Sequence, residues 1–142
     1  MYSYPMRLSV ILLLLLISCS APNVRLTKAL DREHIECVQV QADVSRWVAS
    51  KSSECLDKAL IVKKTDGKEK SLASYNECIK GPFEIAKKVA DEIDTINASI
   101  KDLGRELLLT FKEDASKEEL EKISKRIEED MNKLKDVKGR IQ

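Results

Sequence analysis

The chain has 142 residues, with 25 Lys or Arg against 24 Asp or Glu, so its formal net charge at pH 7 is +1. This balance argues against a nucleic-acid-binding protein, which needs a basic surface to neutralise phosphates. Aromatic residues make up only 4% of the chain, which disfavours a carbohydrate-stacking surface, and the four glycines and three prolines are few. Such a composition is typical of long helices in a single domain.

The N-terminus has the organisation of an export signal. One basic residue, Arg7, precedes an apolar run that begins at Leu8, and the part from Val10 to Ile17 contains no polar side chain. A short positive head, about ten apolar residues and a small-residue end are the three parts of a signal peptide. A run of this length is too short to cross a bilayer, which takes about 20 apolar residues.

The end of the run, Leu16-Ile17-Ser18-Cys19, resembles the lipobox of bacterial lipoproteins. In that family the pattern is Leu, a small or aliphatic residue, Ser, Gly or Ala, and then Cys; signal peptidase II cuts before the Cys, which is then acylated on its thiol and on its new amino group. The resemblance implies that residues 1–18 are a signal peptide and that Cys19 is the lipidation site. Three acyl chains would give lasting attachment to membrane lipid.

The resemblance extends to the residues around the cleavage site. Residues 19–23 would form the lipidated N-terminus and a short tether, and Ser20 resembles the residue that directs lipoproteins of Gram-negative hosts to the outer membrane. An ordinary secretory signal, cut between Ser20 and Ala21 so that Cys19 is lost, is the main alternative. The mature chain that starts at Cys19 has 124 residues and equal numbers of acidic and basic side chains, because Arg7 is the only charge removed.

Residues 24–142 are predicted to form one helical domain. Apolar residues from Leu26 to Trp47 recur at helical spacing, and Ser50–Ser53 predicts a kink or a break in that first helix. The sequence 65–68 contains Asp66-Gly67 and predicts a turn. Gly81-Pro82 predicts a second boundary, because Gly ends helices and Pro favours their first position.

The second half of the chain has the clearest periodicity. Two apolar series alternate between intervals of three and four residues, as in heptad seams. They consist of Ala86, Val89, Ile93, Ile96, Ile100, Leu103 and Leu107, and of Leu120, Ile123, Ile127, Met131, Leu134 and Val137. Between them, residues 112–117 predict a turn, and Ser116 with Glu119 has the pattern of a capping box.

These elements predict an all-α fold, an elongated antiparallel bundle of helical hairpins with heptad seams. The alternative is that the Ala86–Leu107 seam pairs with another copy of the chain as a coiled coil and makes a homo-oligomer.

The three cysteines after Cys19 predict one disulfide. Cys55 lies eleven residues before Asp66 and Cys78 lies eleven after Gly67, so an antiparallel hairpin that turns at Asp66-Gly67 places them opposite each other. We predict a Cys55–Cys78 bridge, which leaves Cys37 as a free thiol on an apolar helix face. Spacing alone also permits bridges from Cys37 to either of the other two, or to another molecule.

The sequence contains no motif for catalysis, metal or cofactor. Glu33, His34 and Cys37 make at most half of a zinc site, because no second pair of ligands has suitable spacing. One histidine and no Gly-flanked serine argue against a hydrolase triad. Trp47 is interpreted first as a core residue and second as a partner-binding residue.

These observations predict a non-catalytic envelope lipoprotein, anchored in membrane lipid through Cys19, whose helical domain binds another envelope or surface protein. The alternative is a secreted, unlipidated helical effector or inhibitor.

Overall fold

The computed structural model describes residues 21–142, and the predicted signal peptide and Cys19 lie outside them. Three α-helices follow one another: α1 is Pro22–Asp66, α2 is Lys68–Thr110 and α3 is Lys117–Arg140. Residues 21–142 contain no strand, and the predicted all-α fold is therefore confirmed. α1 and α2 form a long antiparallel hairpin, and α3 returns beside both of them to complete an elongated bundle.

Two short connections set this topology. Gly67 is the single residue between α1 and α2, and its φ of 91° lies in the left-handed region that favours glycine. Residues 111–116 connect α2 to α3, and the predicted capping box is present: Ser116 Oγ accepts from the Glu119 backbone N–H at 3.2 Å, and a Glu119 carboxylate oxygen accepts from the Ser116 N–H at 2.8 Å. The predicted turns at 65–68 and 112–117 thus coincide with the two connections.

The boundary predicted at 81–82 is wrong, because α2 runs without interruption through Gly81 and Pro82. Local turn chemistry is overridden here by packing: on both sides of Pro82 the same face of α2 lies against α1, with Cys78 before it and Val89 after it. The missing N–H of Pro82 costs one helical hydrogen bond, and the continuous contact with α1 maintains the helix.

The first helix is also longer than predicted. α1 begins at Pro22, with Pro in the first turn, so only Ser20 and Ala21 separate it from Cys19. It continues through Ser50–Ser53, where the sequence predicted a kink or a break. Ser52 Oγ lies 2.9 Å from the Tyr75 hydroxyl of α2, so a hydrogen bond joins the two helices within this serine-rich stretch.

The core is built from the two predicted heptad seams and the apolar face of α1. Every member of the Ala86–Leu107 seam except Ala86 is buried, and Ile123, Ile127, Leu134 and Val137 of α3 are buried with them. On α1 the buried members are Leu30, Cys37, Val40 and Val44. The chain's own α1 and α3 therefore cover the Ala86–Leu107 seam, so pairing between copies through it would first have to open this bundle.

Candidate functional site: a helical arm and its apolar stripe

α3 is too short to accompany the hairpin to its tip. Ile141 and Gln142, the two residues that follow α3, line a shallow cavity with Asp43 and Trp47 of α1. On the other side, Arg140 donates to Glu92 of α2 at 2.9 Å. Residues 49–66 and 68–85 consequently project beyond the three-helix part as a two-helix unit, which we call the arm. Eighteen residues of helix give it a length of about 27 Å.

The inside of the arm contains small and polar residues and a covalent bridge. The structure joins Cys55 to Cys78, which is the predicted pair, with Cα atoms 5.6 Å apart. One and a half turns nearer the tip, Ser71 Oγ donates to the Ala59 carbonyl oxygen at 2.7 Å. Cys55 and Ala59 are each only 3% exposed. Two helices with so few buried apolar side chains gain little stability from packing, and the disulfide adds a covalent constraint between them.

One face of the arm has a row of apolar side chains, of which four are exposed and one, Ile79, is half-buried. Leu56 and Leu60 follow the inward-facing Cys55 and Ala59 by one residue, so both point to the same side of α1. In α2, the residues that follow Ser71, Cys78 and Pro82 lie on the same side of the hairpin as Leu56 and Leu60; they are Leu72, Ile79 and Phe83. We call the set the apolar stripe: Leu56, Leu60, Leu72, Ile79 and Phe83.

The five residues of the apolar stripe lie on one side of the arm. In an antiparallel hairpin, the residue after each inward-facing residue turns to the same side in both helices, because a twofold axis normal to the hairpin relates the two helices. Leu60 and Leu72 lie beside the Ala59–Ser71 contact, and Leu56 and Ile79 lie beside the disulfide. The exposed fractions are 62% for Leu72 and 65% for Phe83. Contiguous exposed apolar residues of this kind mark interaction surfaces.

A second unusual feature lies inside the three-helix part, where two acidic side chains are buried. Glu33 of α1 is fully buried and Asp130 of α3 is 4% exposed. Burial, together with the charge and hydrogen bond of Asp130, raises the pKa of Glu33 to about 8. As carboxylates, neither Glu33 oxygen has a hydrogen-bond partner, nor does Asp130 Oδ2. A proton held by Glu33 and donated to Asp130 Oδ2 would satisfy two of these three oxygens, while Lys133 donates to Asp130 Oδ1 at 3.0 Å.

Cys37 lies one turn further along α1 and is the free cysteine of the described chain. It is buried, and its thiol donates to Asn97 Oδ1 at 3.4 Å. Burial first, and then the neighbouring Glu33, Asp130 and Asp94 charges, raise the pKa of this thiol. A buried thiol with a raised pKa is a poor nucleophile, and the geometry gives Cys37 a core role.

Other residues singled out in the sequence are dispersed. Glu33 and Cys37 face the core whereas His34 is exposed, so the imagined zinc half-site does not assemble. Residues 21–142 contain no group of three or more His, Cys, Asp or Glu side chains placed to hold a metal ion. Trp47 is partly buried and packs against the core, in agreement with its first interpretation. The arm, the apolar stripe and the buried carboxyl pair were not predicted from the sequence.

Comparisons with known proteins add no family to this description. No protein-family model, no curated protein and no solved structure matches the chain. Within residues 21–142, no helix combines the length and the apolar character that crossing a membrane requires.

Proposed function

We propose that this chain is a lipoprotein of a bacterial cell envelope, anchored through Cys19, whose arm binds another envelope or surface protein along the apolar stripe. The resemblance of Leu16–Cys19 to a lipobox supports the anchor. The proposal includes no catalytic step, no cofactor and no nucleic acid. An apolar face on a two-helix unit suits a partner that presents an amphipathic helix, because such helices pack their own apolar face into a matching surface.

The observation that carries this proposal is the separation of the two ends of α1. The helix begins at Pro22, three residues after Cys19, and ends at Asp66 at the tip of the arm. Its 45 residues correspond to about 67 Å of helix. A lipid on Cys19 would hold one end of the molecule at the membrane and leave the apolar stripe near the other end, where a partner could reach it.

The anchor is tested by Cys19→Ala in the native host. We expect the parent protein to be processed before Cys19, to contain acyl chains by mass spectrometry of the N-terminal peptide, and to sediment with membranes. The variant should lose all three properties. A variant that remains equally membrane-bound and normally processed would overturn the lipoprotein proposal. Parent protein that is cut after Ser20 and released would support the secreted, unlipidated alternative. Density-gradient separation of the two membranes tests the predicted outer-membrane location.

The partner surface is tested by substitutions on two different faces of α1. Leu60→Glu places a charge in the apolar stripe, whereas Ile61→Glu places the same charge about 100° further around the helix, on the face directed away from α2, where Ile61 is 65% exposed. After crosslinking in intact envelopes, we expect the adduct to a partner to fall at least about tenfold in Leu60→Glu and to persist in Ile61→Glu.

Equal adduct in both variants would contradict the role of the stripe. An adduct of twice the mass of this chain would instead identify a second copy as the occupant. Circular dichroism of both variants checks that the arm remains folded.

A further inference from the structure

The connection end of the bundle exposes three apolar side chains among four consecutive residues. Leu108, Leu109 and Phe111 are 65%, 55% and 54% exposed, whereas Leu107 beside them is buried in the core. They occupy the last turn of α2 and the first residue after it. We call them the end patch. These side chains do not pack in the core, so the stability of the fold does not account for three large apolar residues at this position.

The N-terminus of the described chain lies at the same end of the bundle as the end patch. Ala21, Pro22 and Asn23 line the same cavity as Thr110, the last residue of α2, and Asp114 of the connection. Cys19 precedes Ala21 by two residues, which span at most about 7 Å of extended chain. Any group attached to Cys19 is therefore confined to the neighbourhood of the end patch.

We propose that the end patch contacts the lipid bilayer, and that Leu108, Leu109 and Phe111 fix the molecule with this end on the membrane and the arm directed away from it. The inference rests on the proposed lipidation of Cys19. A lipid-tethered domain is held at high effective concentration at the surface, so even three apolar side chains suffice to select one orientation. Leucine and phenylalanine are residues that enter the boundary between headgroups and acyl chains.

The charges around the end patch limit how deeply it enters. Lys112, Glu113 and Asp114 follow Phe111 directly and are all exposed. Ionised side chains remain at the level of the headgroups, because their transfer into hydrocarbon is costly. The contact is therefore interfacial, and the three apolar side chains are its deepest part.

The test uses tryptophan as a depth probe in the full-length lipidated protein. Trp47 is the only tryptophan, so Trp47→Phe gives a background without indole emission. Phe111→Trp places a probe in the end patch. Phe83→Trp places a matched probe on the arm, at a phenylalanine of similar exposure. Each protein is reconstituted into phosphatidylcholine vesicles with brominated or ordinary acyl chains, because bromine quenches indoles that reach the acyl chains.

We expect bromination to lower the emission of the Phe111→Trp protein at least about twofold and to leave the Phe83→Trp protein unchanged. A protein that floats with the vesicles but shows no quenching from Phe111→Trp would overturn the end patch and leave the lipoprotein proposal intact. Protein that fails to float, although the chain is intact, would overturn both. Equal quenching of the two probes would mean that the molecule lies flat, and would overturn the orientation proposed here.

Discussion

The buried pair of Glu33 and Asp130 makes a specific prediction about pH. Glu33→Gln removes the titrating group and retains the size and a hydrogen-bond donor for Asp130. In the parent protein, the folded state holds a proton on Glu33 because burial disfavours the carboxylate, and Asp130 disfavours it further. Lys133 and Arg126 act in the opposite direction and only partly compensate. Stability should therefore depend on pH in the parent protein and depend on it less in the variant.

The sign and size of this dependence follow from proton linkage. The pKa of Glu33 is about 8 in the folded protein and 4.5 when it is unperturbed. Between these values the folded chain keeps a proton that the unfolded chain releases, so the free energy of unfolding decreases as pH rises. One proton corresponds to a slope of about 1.4 kcal/mol per pH unit. From pH 4.5 to pH 7 the parent should lose about 3 kcal/mol from this residue.

Urea unfolding followed by circular dichroism at both pH values measures the difference between parent and variant. Comparing the two proteins cancels the surface carboxylates, including Glu92, whose pKa the Arg140 guanidinium lowers. Glu36→Gln is the matched control: Glu36 lies on the same helix, but it forms a surface ion pair with Lys138 at 3.6 Å. We expect this control to retain the pH dependence of the parent.

The same loss of stability from pH 4.5 to pH 7 in Glu33→Gln as in the parent would refute a proton held by Glu33. A carbon-detected NMR titration that shows Glu33 fully ionised in the folded protein at pH 6 would refute it as well. A flat profile for the variant, with a parent that weakens by about 3 kcal/mol over this window, would establish that Glu33 holds a proton in the folded core.

Three further substitutions test the helices and the arm. Replacing Cys55 and Cys78 together by Ser should lower the free energy of unfolding by about 3 kcal/mol, measured against parent protein with and without reductant; a reduced parent as stable as the oxidised one would contradict this. Pro82→Ala restores the missing N–H of α2 and should raise the free energy of unfolding by about 1–3 kcal/mol, whereas an unchanged urea midpoint would speak against it. Ser116→Ala removes the cap of α3 and should cost about 1 kcal/mol, with the exposed mid-helix Ser124→Ala as a control that should cost nothing.

Features that depend on local periodicity could be predicted from the sequence, whereas features that depend on packing between distant segments could not. Heptad spacing identified the buried faces of α2 and α3, and the equal distances of Cys55 and Cys78 from the turn identified the bridge. Gly81-Pro82 misled the prediction, because a turn signal reports only local preference. The contact of α2 with α1 on both sides of Pro82 decides the outcome, and no local pattern contains it.

The buried carboxyl pair shows a different limit. Glu33 falls between Leu30 and Cys37 at heptad spacing, and Asp130 falls between Ile127 and Leu134 in the same way. This spacing places both residues on the buried faces of their helices. Met131, next to Asp130, was assigned to the core in its place because Met131 is apolar. Charged residues are rarely fully buried, so each one in isolation favours a surface position. The packing of α1 against α3 places Glu33 beside Asp130, and this partner lowers the free-energy cost of burying each carboxyl group.

The continuity of α1 and α2 from the three-helix part into the arm has a mechanical consequence. Both helices enter the arm without a loop, so the arm is a lever whose base lies near Pro82, the position where α2 lacks a backbone hydrogen-bond donor. Because about 22 Å of helix separate Pro82 from Gly67, a tilt of about 10° at this base would move Gly67 sideways by about 4 Å. A small change of helix angle at the base thus displaces the tip by several ångström. A partner bound at the tip would exert its largest bending moment near Pro82.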